Sequence, residues 1–208
     1  MYRMEVGYHR FPSGKKYIFV KEPAGPVFLR NAIFLTRGSD PTTIAIVHEW
    51  GKGDTRWEPP KGQMEWKEVE DLEIEQNAII SQKDLQSHMR KGIMREMTEE
   101  SYILPTEIKN FQMLPLQHVQ DWPESGIKGA KFMYQFWTAQ ITDATMALAQ
   151  KRLRNLVGNP DWKMLLPKDL TEKDNIEWWN PSDGYKKIRN GFSRRIAEYY
   201  YEFLNAKK

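Results

Sequence analysis

Short apolar segments rich in β-branched and aromatic residues recur along the chain and predict β-strands. Clusters of Pro, Gly, Asn and Asp separate them, and these residues interrupt regular structure. The predicted strands cover residues 16–21, 27–36, 42–50, 111–119, 131–142 and 176–179. A turn is predicted at 23–26 and a loop of turn-forming residues at 121–126.

Apolar residues spaced three or four apart predict helices between and after these strands. The clearest stripe consists of Leu85, Met89, Ile93 and Met97. Helices are predicted over residues 72–80, 84–94, 144–157 and from about 183 to the end. Strands on both sides of a central helix, followed by a final helix, predict an α/β fold with a mixed sheet packed between helices.

The amino-acid composition excludes several kinds of functional site but does not identify the function. The 208 residues lead us to expect one domain over 1–208. The absence of cysteine excludes disulfide partners, thiolate zinc sites and cysteine nucleophiles. Because the 4 histidines are scattered, any metal is expected to be held mainly by oxygen. A net charge of +3 is too small to indicate a nucleic-acid-binding protein by itself.

The hydropathy pattern gives no sign of a membrane segment. No apolar run approaches the roughly 20 residues that span a bilayer, and charged residues interrupt the N-terminal apolar positions. We therefore expect an intracellular, cytoplasmic protein with no membrane partner.

Three glutamates, Glu96, Glu99 and Glu100, fall on one side of the predicted central helix. Like charges at this spacing repel by roughly 0.2–0.5 kcal/mol per pair on an isolated helix, so they either face water or share a cation. By itself this pattern is typical of a solvated helix face. The alternative is a site for Mg²⁺ or Mn²⁺, which prefer oxygen ligands.

The loop Trp57-Glu58-Pro59-Pro60-Lys61-Gly62 precedes the helix and favours the metal site. Glycine permits backbone conformations and close approaches that other residues forbid. The ammonium of Lys61 can bind a phosphate as a point charge. A glycine and a lysine ahead of a carboxylate helix therefore indicate a phosphorylated substrate.

These residues resemble the box of the Nudix hydrolases. That box reads Gly, five residues, Glu, seven residues, Arg-Glu, an apolar residue, any residue, Glu-Glu, any residue, Gly and an apolar residue. The matching positions are Gly62, Glu68, Arg95, Glu96, Met97, Glu99, Glu100 and Ile103. The loop before Gly62 is also similar to that of dinucleoside polyphosphate hydrolases and decapping enzymes.

The chain departs from the box in two places. Twenty-six residues separate Glu68 from Arg95 where the family has seven, so we infer a helical or looped insertion of nineteen residues, at about 69–90. Tyr102 replaces the closing glycine, and tyrosine is unfavourable at positive φ, so we expect the helix to end differently. The insertion leaves Glu68 with an accessory role that nearby glutamates could also fill, namely Glu70, Glu73 and Glu75.

The resemblance implies an α/β/α sandwich with a mixed sheet, a helical insertion in the box and a long C-terminal helix. It also implies that the backbone of Gly62 and the three helix glutamates hold Mg²⁺ or Mn²⁺, that Arg95 orients the carboxylates, and that a metal-bound water attacks a pyrophosphate. The implied catalytic residues are Arg95, Glu96, Glu99 and Glu100.

Substrate choice is expected to lie in residues outside the box. Lys61, Trp122 and Trp178 are candidate substrate-binding residues, because tryptophan can stack on a base. Trp137 and one residue of the Trp178-Trp179 pair are expected in the core. Candidate general bases are Asp121, Glu124 and Asp183. Clusters that could guide RNA or an inositol polyphosphate comprise Lys128, Lys131, Lys151, Arg152 and Arg154, and near the end Lys186, Lys187, Arg189, Arg194 and Arg195.

Three functions remain open from the sequence. The first is a metal-dependent hydrolase that cleaves the pyrophosphate of a nucleoside diphosphate linked to another group, such as a dinucleoside polyphosphate. The second is a hydrolase that releases methylated GDP from capped RNA. The third is a non-catalytic module that binds a nucleotide or RNA.

Overall fold

A computed structural model describes residues 3–69 and 78–206 of the chain. It divides into two compact units. The first comprises Met1–Asn31, Lys61–Arg95 and Leu114–Phe136, and the second comprises Ala32–Pro60, Glu96–Met113 and Trp137–Lys208.

The described residues form strands and α-helices joined by short turns of 3-10 helix. The strands are Arg3–Arg10 (β1), Lys16–Glu22 (β2), Gly25–Arg37 (β3), Asp40–Glu49 (β4), Trp57–Glu58 (β5), Lys61–Gln63 (β6), Ala78–Ser81 (β7), Lys109–Asp121 (β8), Lys131–Ile141 (β9) and Lys173–Trp179 (β10). The helices are Gln82–Ser101 (α1), Asp143–Val157 (α2), Pro160–Leu165 (α3) and Phe192–Asn205 (α4). This confirms the α/β class and each of the six predicted strands.

In the first unit, antiparallel strands form a sheet. β1 lies between β2 and β7, and β2 also pairs with the start of β3. Successive side chains of a strand point to opposite faces, and Phe28 and Leu29 of β3 are both buried, so both faces of β3 are covered there. The buried apolar residues of this unit include Val6, Ile18, Val20, Phe28, Leu29, Met64, Ile80, Leu85, Met89 and Ile93.

The first unit corrects two sequence predictions. Residues 78–80 were predicted to be helical, but Ala78–Ser81 pairs with β1 as a strand. Tertiary pairing outweighs local helix preference here, and residues 79 and 80 are β-branched isoleucines that suit a strand. The remainder of that predicted helix, with Glu70, Glu73 and Glu75, lies outside the described residues. The sequence analysis also missed β1.

In the second unit, β4 pairs antiparallel with β10, β5 and the end of β3. α2 packs against β10 and buries apolar residues every three or four positions, namely Met146, Ala149, Leu153 and Leu156. In α4, Tyr200 stacks on Phe34 with ring centroids 3.9 Å apart. These contacts close the core of this unit.

The C-terminal helix begins later than the sequence predicts. α4 starts at Phe192, not near residue 183. A 3-10 turn at Pro181–Asp183 precedes Gly184, whose φ is 75°, and Gly191 has a φ of 81°. Glycine adopts such angles without steric cost, and neither residue there is helical. The helix predicted at 144–157 is confirmed as α2.

No helix in residues 3–69 and 78–206 combines the length and apolar character that a membrane crossing requires.

The end of α1 contradicts the expectation drawn from Tyr102. This tyrosine takes the left-handed conformation that glycine usually supplies, with a φ of 57°, and its amide donates to the Thr98 carbonyl at 3.0 Å. Two contacts stabilise it: its hydroxyl donates to the Leu170 carbonyl, and its carbonyl accepts from Arg152 Nη1 at 2.7 Å. The helix therefore ends as one closed by glycine would, despite the tyrosine.

We expect the Tyr102 side chain to offset the strain of its own backbone. Tyr102→Ala keeps the left-handed backbone and loses the hydroxyl, whereas Tyr102→Gly removes the strain, so the alanine variant should be less stable than the glycine variant by about 1 kcal/mol. Tyr102→Phe should cost about 1 kcal/mol through the lost hydrogen bond. Urea unfolding of the three variants measures both. Equal stability of the alanine and glycine variants would contradict the proposal that the backbone at position 102 is strained.

Candidate functional site

In the first unit, a buried ion pair joins the loop of the predicted box to α1. Arg95 Nε lies 2.5 Å from Glu68 Oε1, and the Glu68 side chain is only 4% exposed. The other carboxylate oxygen of Glu68 accepts from the Glu65 amide. The Glu68 carbonyl is 2.7 Å from Nδ1 of His88 on α1. The turn at Trp66–Glu68 is thus held to the helix by both side chain and backbone.

Burial and charge act in opposite directions on Glu68. Burial raises the pKa of this carboxyl, and the charge and hydrogen bond of Arg95 lower it only in part, so that the pKa lies above its usual value. The guanidinium of Arg95 is consequently the main stabiliser of the ionised form. Arg95 was predicted to orient carboxylates, and in the structure it binds Glu68.

The residues around Gly62 form a short extended segment. Gly62 lies in β6 and is not among the described glycines with positive φ, so it does not need glycine for that reason. The strand is anchored at its end, because the Met64 amide donates to the Leu29 carbonyl at 2.9 Å and the Met64 carbonyl accepts from Ile18 at 3.0 Å. Lys61 and Gly62 are half-buried. Their predicted roles toward phosphate and metal remain predictions.

In the second unit, the three predicted metal ligands have different surroundings. Glu96 and Glu99 are half-buried, whereas Glu100 is 5% exposed. Lys173, at the start of β10, places its ammonium 3.0 Å from Glu100 Oε1 and 2.7 Å from Glu58 Oε1. The Lys173 side chain is itself only 3% exposed. Glu100 is thus one of two buried carboxylates that share a lysine.

Further contacts complete this buried cluster. Ser193 Oγ donates to Glu58 Oε2 at 2.5 Å, and Arg189 Nη1 lies 3.9 Å from the same oxygen. Burial lowers the pKa of Lys173, but the charges of Glu100 and Glu58 outweigh it and raise the pKa above its usual value. The two carboxylates thus favour the charged form of Lys173.

The carboxylates fit a metal site that the substrate would have to complete. Within the described ranges, no group of three or more acidic or histidine side chains is arranged to hold one ion. Mg²⁺ commonly uses only one or two carboxylates and takes its other ligands from water and substrate phosphate. Glu96 and Glu99, one helical turn apart on α1, satisfy that smaller requirement.

Trp122, predicted to stack on substrate, lies in an aromatic cluster of the first unit. Its ring centroid is 5.4 Å from that of Phe11 and 5.2 Å from that of Phe28. The guanidinium of Arg30 lies 4.9 Å from the Trp122 centroid. The ring is half-buried, so part of it can still be reached from solvent. Its stacking role remains a prediction.

The other tryptophans agree with the expectation of one core residue in the 178–179 pair. Trp179 is 1% exposed and donates to the Gly184 carbonyl. Trp137 is also buried, at 4% exposure. Trp178 is half-buried and donates to Asp143 Oδ1 at 3.0 Å. Only Trp178 of these three retains a surface for substrate.

The candidate general bases have ordinary surface positions. Asp121 is 83% exposed and lies 3.6 Å from Lys131. Glu124 is exposed in the turn at Pro123–Ser125. Asp183 accepts from the Asn180 amide at 2.9 Å, which is a capping contact. None of these contacts indicates a catalytic role, and all three assignments remain predictions.

Acidic partners bind much of the positive charge that was a candidate for guiding RNA. Arg152 makes two hydrogen bonds with Glu107, at 2.6 and 2.7 Å, and this bonding lowers the pKa of Glu107. Further pairs join Lys187 to Glu177, Arg189 to Glu49, Arg194 to Glu198 and Arg195 to Glu198. These side chains consequently present less positive charge than the sequence suggests.

An open cleft of about 670 Å³ lies elsewhere in the second unit. Its lining comprises His48, Asp54, Trp57, Arg154, Val157, Gly158, Asp174 and Asn175. His48 Nδ1 is 2.6 Å from Asp174 Oδ1. Neighbouring residues of a strand face opposite sides, so Trp57 faces this cleft while Glu58 faces Lys173. The cleft is therefore on the other side of β5 from Glu100.

Sequence reasoning missed Lys173 and Glu58. Lys173 precedes the strand predicted at 176–179 and was not a candidate site residue, and Glu58 was considered only as part of a loop similar to that of known enzymes. They are 115 positions apart, so no local spacing links them. Two charged residues at the edges of apolar strand segments were the available signal, and that pattern is common on ordinary surfaces.

Comparison with known proteins gives weak likeness. No family model and no curated protein matches the chain. Among solved structures, it is similar to a C. elegans Ap4A hydrolase in a binary complex, with 14% identity, a TM-score of 0.45 and coverage of 86% of this chain and 99% of that one.

Two other structures show likeness of the same order. A NUDIX hydrolase from Nitrosomonas europaea has 11% identity and a TM-score of 0.46, with coverage of 96% of this chain and 88% of that one. NrtR of Shewanella oneidensis has 12% identity and a TM-score of 0.45; the alignment covers 86% of this chain and 64% of that one. At these scores and identities, the likeness carries no argument about activity.

Proposed function

We propose that the chain is a metal-dependent hydrolase that cleaves the pyrophosphate of a nucleoside diphosphate linked to another group. The supporting observation is the buried pair between Glu68 and Arg95. These two residues belong to the two halves of the Nudix-like box, and the insertion separates them in sequence. Their contact joins the turn at Trp66–Glu68 to α1 at Arg95, on the two sides of the insertion.

The residues of the box have distinct tasks in this proposal. Arg95 neutralises Glu68 and fixes the turn at Trp66–Glu68 on α1. Glu96 and Glu99 would hold Mg²⁺ or Mn²⁺. The ion, when bound, lowers the pKa of water and neutralises charge on the phosphoanhydride. Lys61 would bind a phosphate oxygen as a point charge.

A small nucleotide, such as a dinucleoside polyphosphate, is the preferred substrate class within this proposal. An RNA substrate would draw affinity from several unpaired lysine and arginine side chains along its backbone. In this chain Arg152, Lys187, Arg194 and Arg195 are bound to carboxylates. Trp122 and Trp178 are half-buried, so part of each ring can be reached from solvent by a base.

A substrate panel with Mn²⁺ tests the proposal. It contains a dinucleoside polyphosphate, ADP-ribose, a diphosphoinositol phosphate and capped RNA, each incubated with the wild type, Glu99→Gln and Glu202→Gln. We expect turnover of the dinucleoside polyphosphate that falls by about 10²–10³-fold in Glu99→Gln, because an ion-stabilised transition state loses several kcal/mol. Glu202 is an exposed glutamate of α4 and serves as the matched control.

Each result of the panel separates one hypothesis from the others. Turnover of capped RNA alone, with competition by uncapped RNA and a steep loss with salt, would replace the small-nucleotide substrate by decapping. Binding without turnover of any compound would indicate the non-catalytic module. Turnover that is equal in the wild type and Glu99→Gln would contradict the catalytic helix.

A further inference from the structure

The contact between Glu100 and Lys173 places an ammonium group beside a predicted metal ligand. The ammonium lies 3.0 Å from Glu100 Oε1 and 2.7 Å from Glu58 Oε1. All three side chains are 6% exposed or less. Water can therefore do little to screen charges in this cluster.

The two carboxylates of the cluster already have cationic partners. Glu58 and Glu100 face the ammonium of Lys173, and the guanidinium of Arg189, which is 3.6 Å from Glu49, lies 3.9 Å from Glu58. Ser193 supplies a hydrogen bond to Glu58 in addition. A buried charge group of this kind is stable when its ions are paired and hydrogen-bonded.

A divalent ion on Glu100 would disturb this pairing of carboxylates with cationic side chains. Mg²⁺ binds carboxylate oxygen at about 2.1 Å, so it would lie within a few ångströms of the ammonium. Two buried cations at such a distance repel strongly, because few water molecules stand between them. An ion at Oε1 of Glu100 would have to displace the ammonium, which is buried and bound to two carboxylates.

We infer that Lys173 occupies the cation position at Glu100, so that Glu100 is not a metal ligand and the metal of the proposed hydrolase is held by Glu96 and Glu99. This inference rests on the proposed function, because metal binding by α1 is part of it. Lys173 binds Glu100 in the last turn of α1, where Glu99 is the adjacent residue.

A titration with Mn²⁺ tests the inference without relying on activity. The electron paramagnetic resonance signal of the free ion measures how much Mn²⁺ is bound. We expect Glu99→Gln to weaken binding by at least about tenfold and Glu100→Gln to change it by less than about twofold. Circular dichroism confirms that each variant is folded. Equal weakening by both substitutions would overturn the inference and leave the proposed function intact.

A second set of variants examines Lys173 itself. Lys173→Met removes the ammonium that lies between Glu58 and Glu100. We expect one additional Mn²⁺ to bind in its place, and to be lost again in Lys173→Met/Glu58→Gln. Lys173→Arg keeps the charge and should bind as the wild type does. No additional ion in folded Lys173→Met would overturn the inference; if this variant does not fold, the comparison of Glu99→Gln with Glu100→Gln decides.

The two proposals fail in different ways. A wild type that binds no Mn²⁺ contradicts metal binding by α1, and so overturns the proposed function together with the inference. Binding that depends on Glu99 and Glu100 alike overturns the inference alone.

Discussion

Lys173→Met is expected to lower the free energy of unfolding by about 3–5 kcal/mol, because it removes the ammonium that two buried carboxylates share. Glu58 and Glu100 are 2% and 6% exposed and would face each other across the vacated position. Urea unfolding followed by tryptophan fluorescence measures the loss. The unfolding slope should not change, since the folded core is otherwise retained.

Two controls separate the charge from the packing of the lysine stem. Lys186→Met replaces an exposed lysine and should change stability by less than about 0.5 kcal/mol. Glu58→Gln combined with Glu100→Gln and Lys173→Met removes the charges together and should recover part of the loss, because no ion then remains without a partner. Lys173→Met and Lys186→Met of equal stability would show that the cluster contributes nothing.

Arg95→Met is expected to give the second large effect, a destabilisation of about 3–5 kcal/mol at neutral pH. It leaves Glu68, whose side chain is 4% exposed, without its cation. Burial already raises the pKa of Glu68 above its usual value near 4.5, and without Arg95 the folded-state pKa rises further. The folded variant then binds a proton that the unfolded chain releases.

The pH dependence of this variant follows from that proton. Between the unfolded and the raised folded pKa, the folded state holds more protons, so stability falls as pH rises. Arg95→Met should have a lower free energy of unfolding than the wild type. This difference should be smallest below about pH 4.5 and should increase as the pH rises above the wild-type pKa of Glu68. Chemical unfolding at several pH values measures it.

The double variant Arg95→Met/Glu68→Gln provides the matched control. It has no ionisable group at this position, so the pH-dependent part of the loss should disappear. Two results would contradict a buried ionised Glu68. One is a loss of unfolding free energy in Arg95→Met that does not vary with pH, and the other is an equal loss in the single and double variants.

The elements with strong local patterns could be predicted from the sequence. The six predicted strands are short apolar segments rich in β-branched and aromatic residues, and α2 and the central helix carry apolar residues three or four apart. Each lies where the pattern placed it. The same reasoning failed at residues 78–80 and 183–191. A strand partner in β1 decides the first, and a proline and two glycines at positive φ interrupt the second.

Part of the candidate site also consists of residues that are close together in the sequence. Glu96, Glu99 and Glu100 share a helix, so their neighbourhood follows from helical geometry alone. The contact of Glu68 with Arg95 could be proposed only from the resemblance, because the insertion removes any fixed spacing between them. Tyr102 shows the limit of single-residue rules, since contacts with Leu170 and Arg152 hold a conformation that tyrosine disfavours.

By itself, the sequence determined the α/β class, the carboxylate helix and the loop with Lys61 and Gly62, because each depends on residues close together in the chain. Only the tertiary structure decided that Glu68 binds Arg95 and that Lys173 binds Glu58 and Glu100. The physical reason is that buried charge must find a partner wherever the fold supplies one. That requirement specifies that a partner exists, while the packing of distant strands specifies which residue it is.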